Sequence, residues 1–332
     1  MSTRLSAAVV AALSVLLTLV AAPATAAAPN PVPHPIRFAP WGEDSSFPAA
    51  YARSITDPDR DPLGANDWGC QPSAAHPRPV VLVHGTFENA YANWNGLAPI
   101  LADRGYCVFA LNYGNSTGIA FLNGTGDLIA NAHEIGPFVD RVLASTGAAQ
   151  IDLVGHSQGG VISRYYANLI APQKVNQVIG LAPSNHPTTL SGITEFGKLV
   201  RLFGAAMAVL ELVNLPAAAQ QADQSPAPQA PFYQQVNGDG ETIPGMSYTT
   251  IVTRRDQVVT PWQRGQLATG PGAEVENIVI QDVCRIDQSE HVSLPFSKNV
   301  AQIVLNTLDP DDERRIRCYP QAPITGSTQL IG

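Results

Sequence analysis

The stretch Ile151–Ser163, IDLVGHSQGGVIS, decides how the rest of the chain is read. A branched apolar run stops at Gly155, one serine stands at 157 between small residues, and a second apolar run follows. A short apolar run ended by glycine is the pattern of a strand buried on both faces. Gly-x-Ser-x-Gly between such a strand and a helix predicts a nucleophile elbow. The turn is tight, so the positions two before and two after the serine must be small; here they are Gly155 and Gly159, and Gly160 lets helix and strand approach. The turn lifts the Ser157 hydroxyl above the sheet edge, against the positive end of the following helix.

Working outward, PVVLVHG (79–85), YCVFALNYG (106–114), AQIDLVG (149–155), YTTIVT (248–253) and VENIVIQ (275–281) read as strands. WNGLAPILADRG (94–105), TGDLIANAHEIGPFVDRVLASTG (125–147, broken near Gly136–Pro137) and GGVISRYYANLI (159–170) read as helices. Strands alternating with helices predict a mostly parallel sheet covered by helices on both faces, with functional side chains at the strand C-terminal ends. Residues 29–79, rich in Pro, Asp and Gly, read as an irregular arm over the core.

A serine hydroxyl needs a base. His34 and His76 lie in Pro-rich loops, His84 ends a strand, His133 sits mid-helix, and His156 adjoins the serine and is turned away by the elbow. Of the two histidines after Ser157, His186 comes too soon to leave room for an acid in the order serine, acid, histidine. His291, in QSEHVSLPF, is therefore the expected base. The acid that orients it is expected at Asp256, in the loop closing SYTTIVTRRDQVVTPWQ, rather than in a solvated pair with Arg254 or Arg255. Asp282, Asp287 and Glu290 lie too near His291 in sequence for that part. The oxyanion donors are expected to be the backbone N–H groups of Gln158 and of Thr86, in the loop after the first strand, with the Thr86 hydroxyl as a further donor.

The chain has 332 residues, 45% of them hydrophobic and 14% charged, with a formal net charge of −8. An acidic chain without a Lys/Arg cluster is a poor partner for nucleic acid or an anionic membrane surface. At the N-terminus, Arg4, the apolar run LSAAVVAALSVLLTLVAA and the small residues ending at Ala26 predict a secretory signal peptide over residues 1–26, without a lasting membrane anchor. Residues 27–332 are then one catalytic domain, expected to act as an extracellular monomer. The four cysteines, Cys70, Cys107, Cys284 and Cys318, suit a secreted chain with two disulfides. Three pairings are possible; Cys70–Cys107 with Cys284–Cys318 is favoured because each is local to one end. No Cys-x-x-Cys pair is present, and no metal or cofactor is expected.

The segments GANDWGCQPSAAHPRPVVLVHGTF, NWNGLAPILADRGYCVFALNYG and DLVGHSQGGVISRYY together resemble the secreted actinobacterial class 2 lipases and esterases, and more distantly the lipase B of Candida antarctica. The resemblance runs from about Pro62 to the end of the chain. It implies an α/β-hydrolase fold and cofactor-free hydrolysis of carboxylic esters. The family's nucleophile falls on Ser157, its acid on Asp256 in Asp-x-x-Val-x-Pro, its base on His291 in EHVSL, and its oxyanion residues on Thr86 and Gln158. It also favours Cys70–Cys107. The implied substrate is a lipid or other ester met at an interface. A short-chain esterase, a cutinase-like polyester hydrolase and a non-catalytic surface-binding protein on the same fold are the rival readings.

Residues 187–243 do not follow the family pattern and are read as a helical cap or lid insertion. LSGITEFGKLVRLFGAAMAVLELV (190–213) has apolar residues at helical spacing and few charges. It fits either a fixed cap helix or a mobile lid, with Phe203, Met207 and Leu210 as candidate substrate-lining residues. The Ala/Gln/Pro-rich run PAAAQQADQSPAPQAP (216–231) reads as an excursion.

Overall fold

A computed structural model of the protein describes residues 44–189, 192, 194, 197–198, 211–212, 214–223 and 231–326. The expected signal peptide and the candidate lining residues Phe203, Met207 and Leu210 lie outside the described residues.

Six strands form the central sheet: β1 (Val80–Val83), β2 (Val108–Leu111), β3 (Ile151–His156), β4 (Val175–Leu181), β7 (Ser247–Val252) and β8 (Glu274–Val279). Their order is β2-β1-β3-β4-β7-β8, and every pairing is parallel. The chain moves outward from β1 to β2, then crosses back to β3 and proceeds the other way. The reversal lies between β1 and β3, whose register pairs Val83 with Gly155. In open parallel sheets, crevices form outside the strand C-termini at such a reversal.

Side chains alternate across the pleat and divide the core in two. Val81, Val83, Phe109 and Leu153 pack on one face with Ile135, Val139 and Val142 of α4 (Leu128–Thr146) and with Val161 and Ile162 of α5 (Gln158–Tyr165). Val80, Leu82, Val108, Val154 and Ile179 pack on the other with Ile100 and Leu101 of α3 (Ala98–Asp103) and Val300 and Val304 of α9 (Lys298–Leu308). A third cluster contains Phe47, Tyr51, Phe87, Leu212, Val258, Val292 and Phe296.

Three features differ from the sequence expectation. The strand β4 was not expected, because Asn176 and Gln177 interrupt its apolar run; it nevertheless sits between β3 and β7. Helix α4 continues through Pro137 instead of breaking there. Both Pro137 and His133, whose carbonyl loses its helical donor, are on the exposed face, so the missing bond opens toward solvent. The N-terminal arm is not wholly irregular. It holds α1 (Phe47–Thr56), which buries Phe47, Ala50, Tyr51 and Ser54, while the Tyr51 hydroxyl donates to the Phe87 carbonyl at 3.0 Å.

Two described stretches of the insertion pair with each other. A two-residue parallel pair joins β5 (Thr188–Thr189) to β6 (Ala222–Asp223), and the short helix α6 (Pro216–Gln221) leads into it. The segment returns to the sheet through α7 (Pro231–Asn237). Disulfides join Cys70 to Cys107 and Cys284 to Cys318, the favoured pairing. Among the described residues no helix is long and apolar enough to cross a membrane.

Candidate active site

The turn from β3 to α5 is built around Ser157, whose φ of 54° lies in the left-handed region that non-glycine residues avoid. Such a conformation costs about 1–3 kcal/mol and persists where its surroundings enforce it. Here the enforcement is backbone proximity. A Cβ on Gly155 would lie 2.3 Å from the Gly159 carbonyl oxygen, and one on Gly159 would lie 2.0 Å from the Val83 carbonyl oxygen. The doubled small residues of the opening motif are thus required by the packing of α5 over β1 and β3.

Ser157 Oγ lies 2.9 Å from His291 Nε2, and His291 Nδ1 lies 2.9 Å from Asp256 Oδ2. The structure therefore brings together three residues separated by 134 and 35 positions. Asp256 sits in the loop after β7, and its Oδ1 accepts the Val258 and Val259 backbone N–H groups, each at 2.8 Å. With Oδ1 held by two donors, Oδ2 is aimed at the imidazole, which must carry its proton on Nδ1 and present a bare Nε2 to the serine. Burial on its own would lower the His291 pKa. The Asp256 carboxylate, through charge and hydrogen bond, opposes this with help from Glu290 and Glu88, and the net shift is upward.

Asp282, Asp287, Glu290, His186 and His84 have other partners. Asp282 pairs with Arg254 at 2.7 Å on the surface. Asp287 accepts from Ser297 Oγ at 3.0 Å and Asn299 Nδ2 at 2.8 Å, tying the loop to the start of α9. Glu290 accepts the Val292 N–H at 2.9 Å and the Ile324 N–H at 2.8 Å. His186 is bonded to the Arg264 carbonyl and to Glu241, at 2.9 and 2.8 Å. His84 follows β1, with Nδ1 on the Gly85 carbonyl at 2.8 Å; burial pulls its pKa down to about 4, so it is neutral.

Thr86 follows β1 across the sheet reversal from Ser157. Its Oγ1 accepts from Gln158 Nε2 at 3.3 Å and from Gln221 Nε2 at 2.9 Å. Two amides on the oxygen leave the Thr86 O–H as a donor. Among the described residues the backbone N–H groups of Thr86 and Gln158 meet no acceptor. The Gln158 side chain is itself fixed, donating to the Gly124 carbonyl at 2.8 Å and accepting from Asn131 Nδ2 at 3.2 Å. Gln221 was not singled out in the sequence, because it lies in the low-complexity Ala/Gln/Pro run; only its place at the end of α6 brings it to Thr86. Among the described residues no group of His, Cys, Asp and Glu side chains is placed to hold a metal ion.

This sheet order, with a serine on the β3–α5 turn and an acid and a histidine on later loops, is the α/β-hydrolase fold. Comparison with known proteins agrees. A family model described as alpha/beta hydrolase fold matches residues 78–208. The chain is 30% identical over 200 residues to a triacylglycerol lipase of Pseudarthrobacter phenanthrenivorans, covering 54% of this chain and 60% of that one. It is likewise 30% identical over 200 residues to a triacylglycerol lipase of Burkholderia plantarii, covering 54% of each. The match thus spans a little over half the length of these curated relatives. The crystal structure of Aspergillus fumigatus lipase B superposes with a TM-score of 0.50 at 18% identity, over 77% of this chain and 60% of that one.

Proposed function

We propose that the protein is a secreted serine carboxylester hydrolase acting on acylglycerols or other lipid esters, allied to the actinobacterial class 2 lipases. The observation that carries this reading is the unbroken relay Ser157–His291–Asp256, with 2.9 Å at each step. Lipid esters as substrates are supported by the triacylglycerol lipases among its relatives. Secretion is supported by two disulfides, which persist in oxidising compartments.

In the mechanism, His291 Nε2 takes the Ser157 proton as Oγ attacks the ester carbonyl. Asp256 holds the ring in the required tautomer and stabilises the imidazolium as it forms. The Thr86 and Gln158 N–H groups, with the Thr86 hydroxyl, meet the negative charge on the carbonyl oxygen. Their positions are fixed before substrate arrives, so no reorganisation is needed at that moment. His291 gives its proton to the departing alcohol, leaving an acyl ester on Ser157. A water activated by His291 then attacks the acyl carbon and releases the acid.

Labelling with a fluorophosphonate, followed by peptide mapping, tests the nucleophile: modification confined to Ser157 is expected, and an unlabelled protein would remove the reading. Rates on emulsified triglyceride and on dissolved butyrate ester then set lipase against short-chain esterase.

A further inference from the structure

His156 is not used in the reaction just described, yet it is fully buried beside it. Its Nε2 lies 3.0 Å from the His291 backbone carbonyl oxygen, and the two rings pack with centroids 4.9 Å apart. Its Nδ1 lies 3.1 Å from Asn93 Oδ1 and 3.5 Å from Glu88 Oε2. Asn93 is not free to present its amide nitrogen there, because Oδ1 already accepts the Gly85 N–H at 2.8 Å. Both ring nitrogens therefore face acceptors.

Glu88 is also fully buried, and among the described residues neither of its carboxylate oxygens has a hydrogen-bond donor. A buried carboxylate in that condition is costly unless a cation compensates it. Of the titratable neighbours, His84 is neutral, Tyr113 donates its hydroxyl to the His84 carbonyl at 2.6 Å, and Tyr51 donates to the Phe87 carbonyl at 3.0 Å. His291 has its nitrogens on Asp256 and Ser157. His156, with an acceptor facing each ring nitrogen, is the remaining partner next to Glu88.

We propose that Glu88 and His156 form a buried, charge-paired brace in which the His156 ring donates from both nitrogens, fixing the His291 loop and the Gly85–Thr86 loop to the elbow. The inference rests on the reading of His291 as base and Thr86 as oxyanion donor. One nitrogen holds the backbone of His291; the other holds Asn93, which holds Gly85, the residue before Thr86. Both are positioning residues, since neither touches the reacting atoms. The brace sets the distance between base, nucleophile and oxyanion donors, where a misplacement of about 1 Å can cost on the order of a hundredfold in rate.

The test is the nitrogen-15 spectrum of the histidine rings in the whole chain at neutral pH, with the His156 signals assigned through its backbone. Two protonated ring nitrogens are expected. In Glu88→Gln one of them should lose its proton at the same pH, and kcat on a dissolved ester should fall about tenfold to a hundredfold with KM nearly unchanged. A bare ring nitrogen on His156 in the unsubstituted protein would overturn the proposal, as would Glu88→Gln with an unchanged ring spectrum and unchanged kcat. If Glu88→Gln does not fold, the spectrum of the unsubstituted protein decides alone. Fluorophosphonate labelling of the same sample separates the two claims, because failure to label removes the hydrolase reading without altering the ring spectrum.

Discussion

Gln221 Nε2 donates to Thr86 Oγ1 at 2.9 Å across 135 residues of sequence. The contact ties helix α6, inside the insertion, to the residue proposed above as an oxyanion donor. Gln221 also donates to the Ala217 carbonyl at 3.0 Å and accepts from Ser184 Oγ at 2.8 Å, so its own position is fixed from two sides. Helix α6 thus supports the loop that carries Thr86.

Gln221→Ala should accordingly lower kcat on a dissolved ester by about tenfold, short of the hundredfold or more that follows loss of an oxyanion donor itself. Melting temperature checks that the fold survives. Turnover equal to the parent would show that Thr86 is held without the insertion.

Ser157→Ala should abolish ester hydrolysis by several orders of magnitude while the circular dichroism spectrum is unchanged. The side chain is small and buried, and the turn is enforced by Gly155 and Gly159 rather than by the hydroxyl. Residual activity above about a tenth of the parent would place the nucleophile elsewhere.

The pH dependence follows from His291. Its pKa is raised in the folded protein, so the base becomes protonated, and activity falls, at a higher pH on acidification than for an ordinary histidine. The same shift carries a stability term: it is fully present below the unfolded pKa and is lost as pH rises through the folded one. Asp256→Asn removes the main raising influence and leaves burial, which lowers the pKa. The acidic limb of kcat/KM should then move to lower pH, while the plateau drops by about 10⁴ as the wrong tautomer is favoured. An unmoved limb with an unchanged plateau would mean that another group supports the base.

Gly159→Ala should prevent correct folding of the elbow, since the new methyl would sit 2.0 Å from the Val83 carbonyl oxygen. Loss of soluble, monodisperse protein or a sharp fall in melting temperature is expected. Gly147→Ala, where a Cβ meets nothing within 4 Å but φ is 68°, should be milder. Equal melting temperatures for the two variants would contradict the close packing of α5 on β1.

Replacing Cys70 and Cys107 by alanine should lower stability by about 3–4 kcal/mol, as loss of a closed loop of nearly forty residues implies. Denaturant unfolding of the variant against the parent measures it. An unchanged midpoint would mean that the arm is held mainly by its packing.

Local pattern was enough for much of this protein. The elbow was legible because Gly-x-Ser-x-Gly, an apolar run before it and an apolar run after it are all short-range requirements of one turn. Strands β1, β2, β3, β7 and β8 were legible as apolar or β-branched runs ended by turn residues. Asp256 and His291 could be chosen by elimination, and the resemblance named the same two positions. Pairing of the cysteines needed little more than their separation. What the sequence did not carry were relations between distant residues whose local setting is unremarkable. Asn176 and Gln177 hid β4, although the sheet accepts them because its neighbours β3 and β7 complete the ladder. Gln221 stands in a low-complexity run, no local pattern marks Glu88, and His156 reads only as a neighbour of the serine turned away by the elbow. Only the tertiary structure decided that Gln221 reaches Thr86 and that Glu88 and His156 meet behind Ser157. The physical reason is that periodicity and turn chemistry are set over a few residues. The partner of a buried polar group is set by which strand ends the sheet order brings to one edge, and a one-dimensional pattern does not encode that.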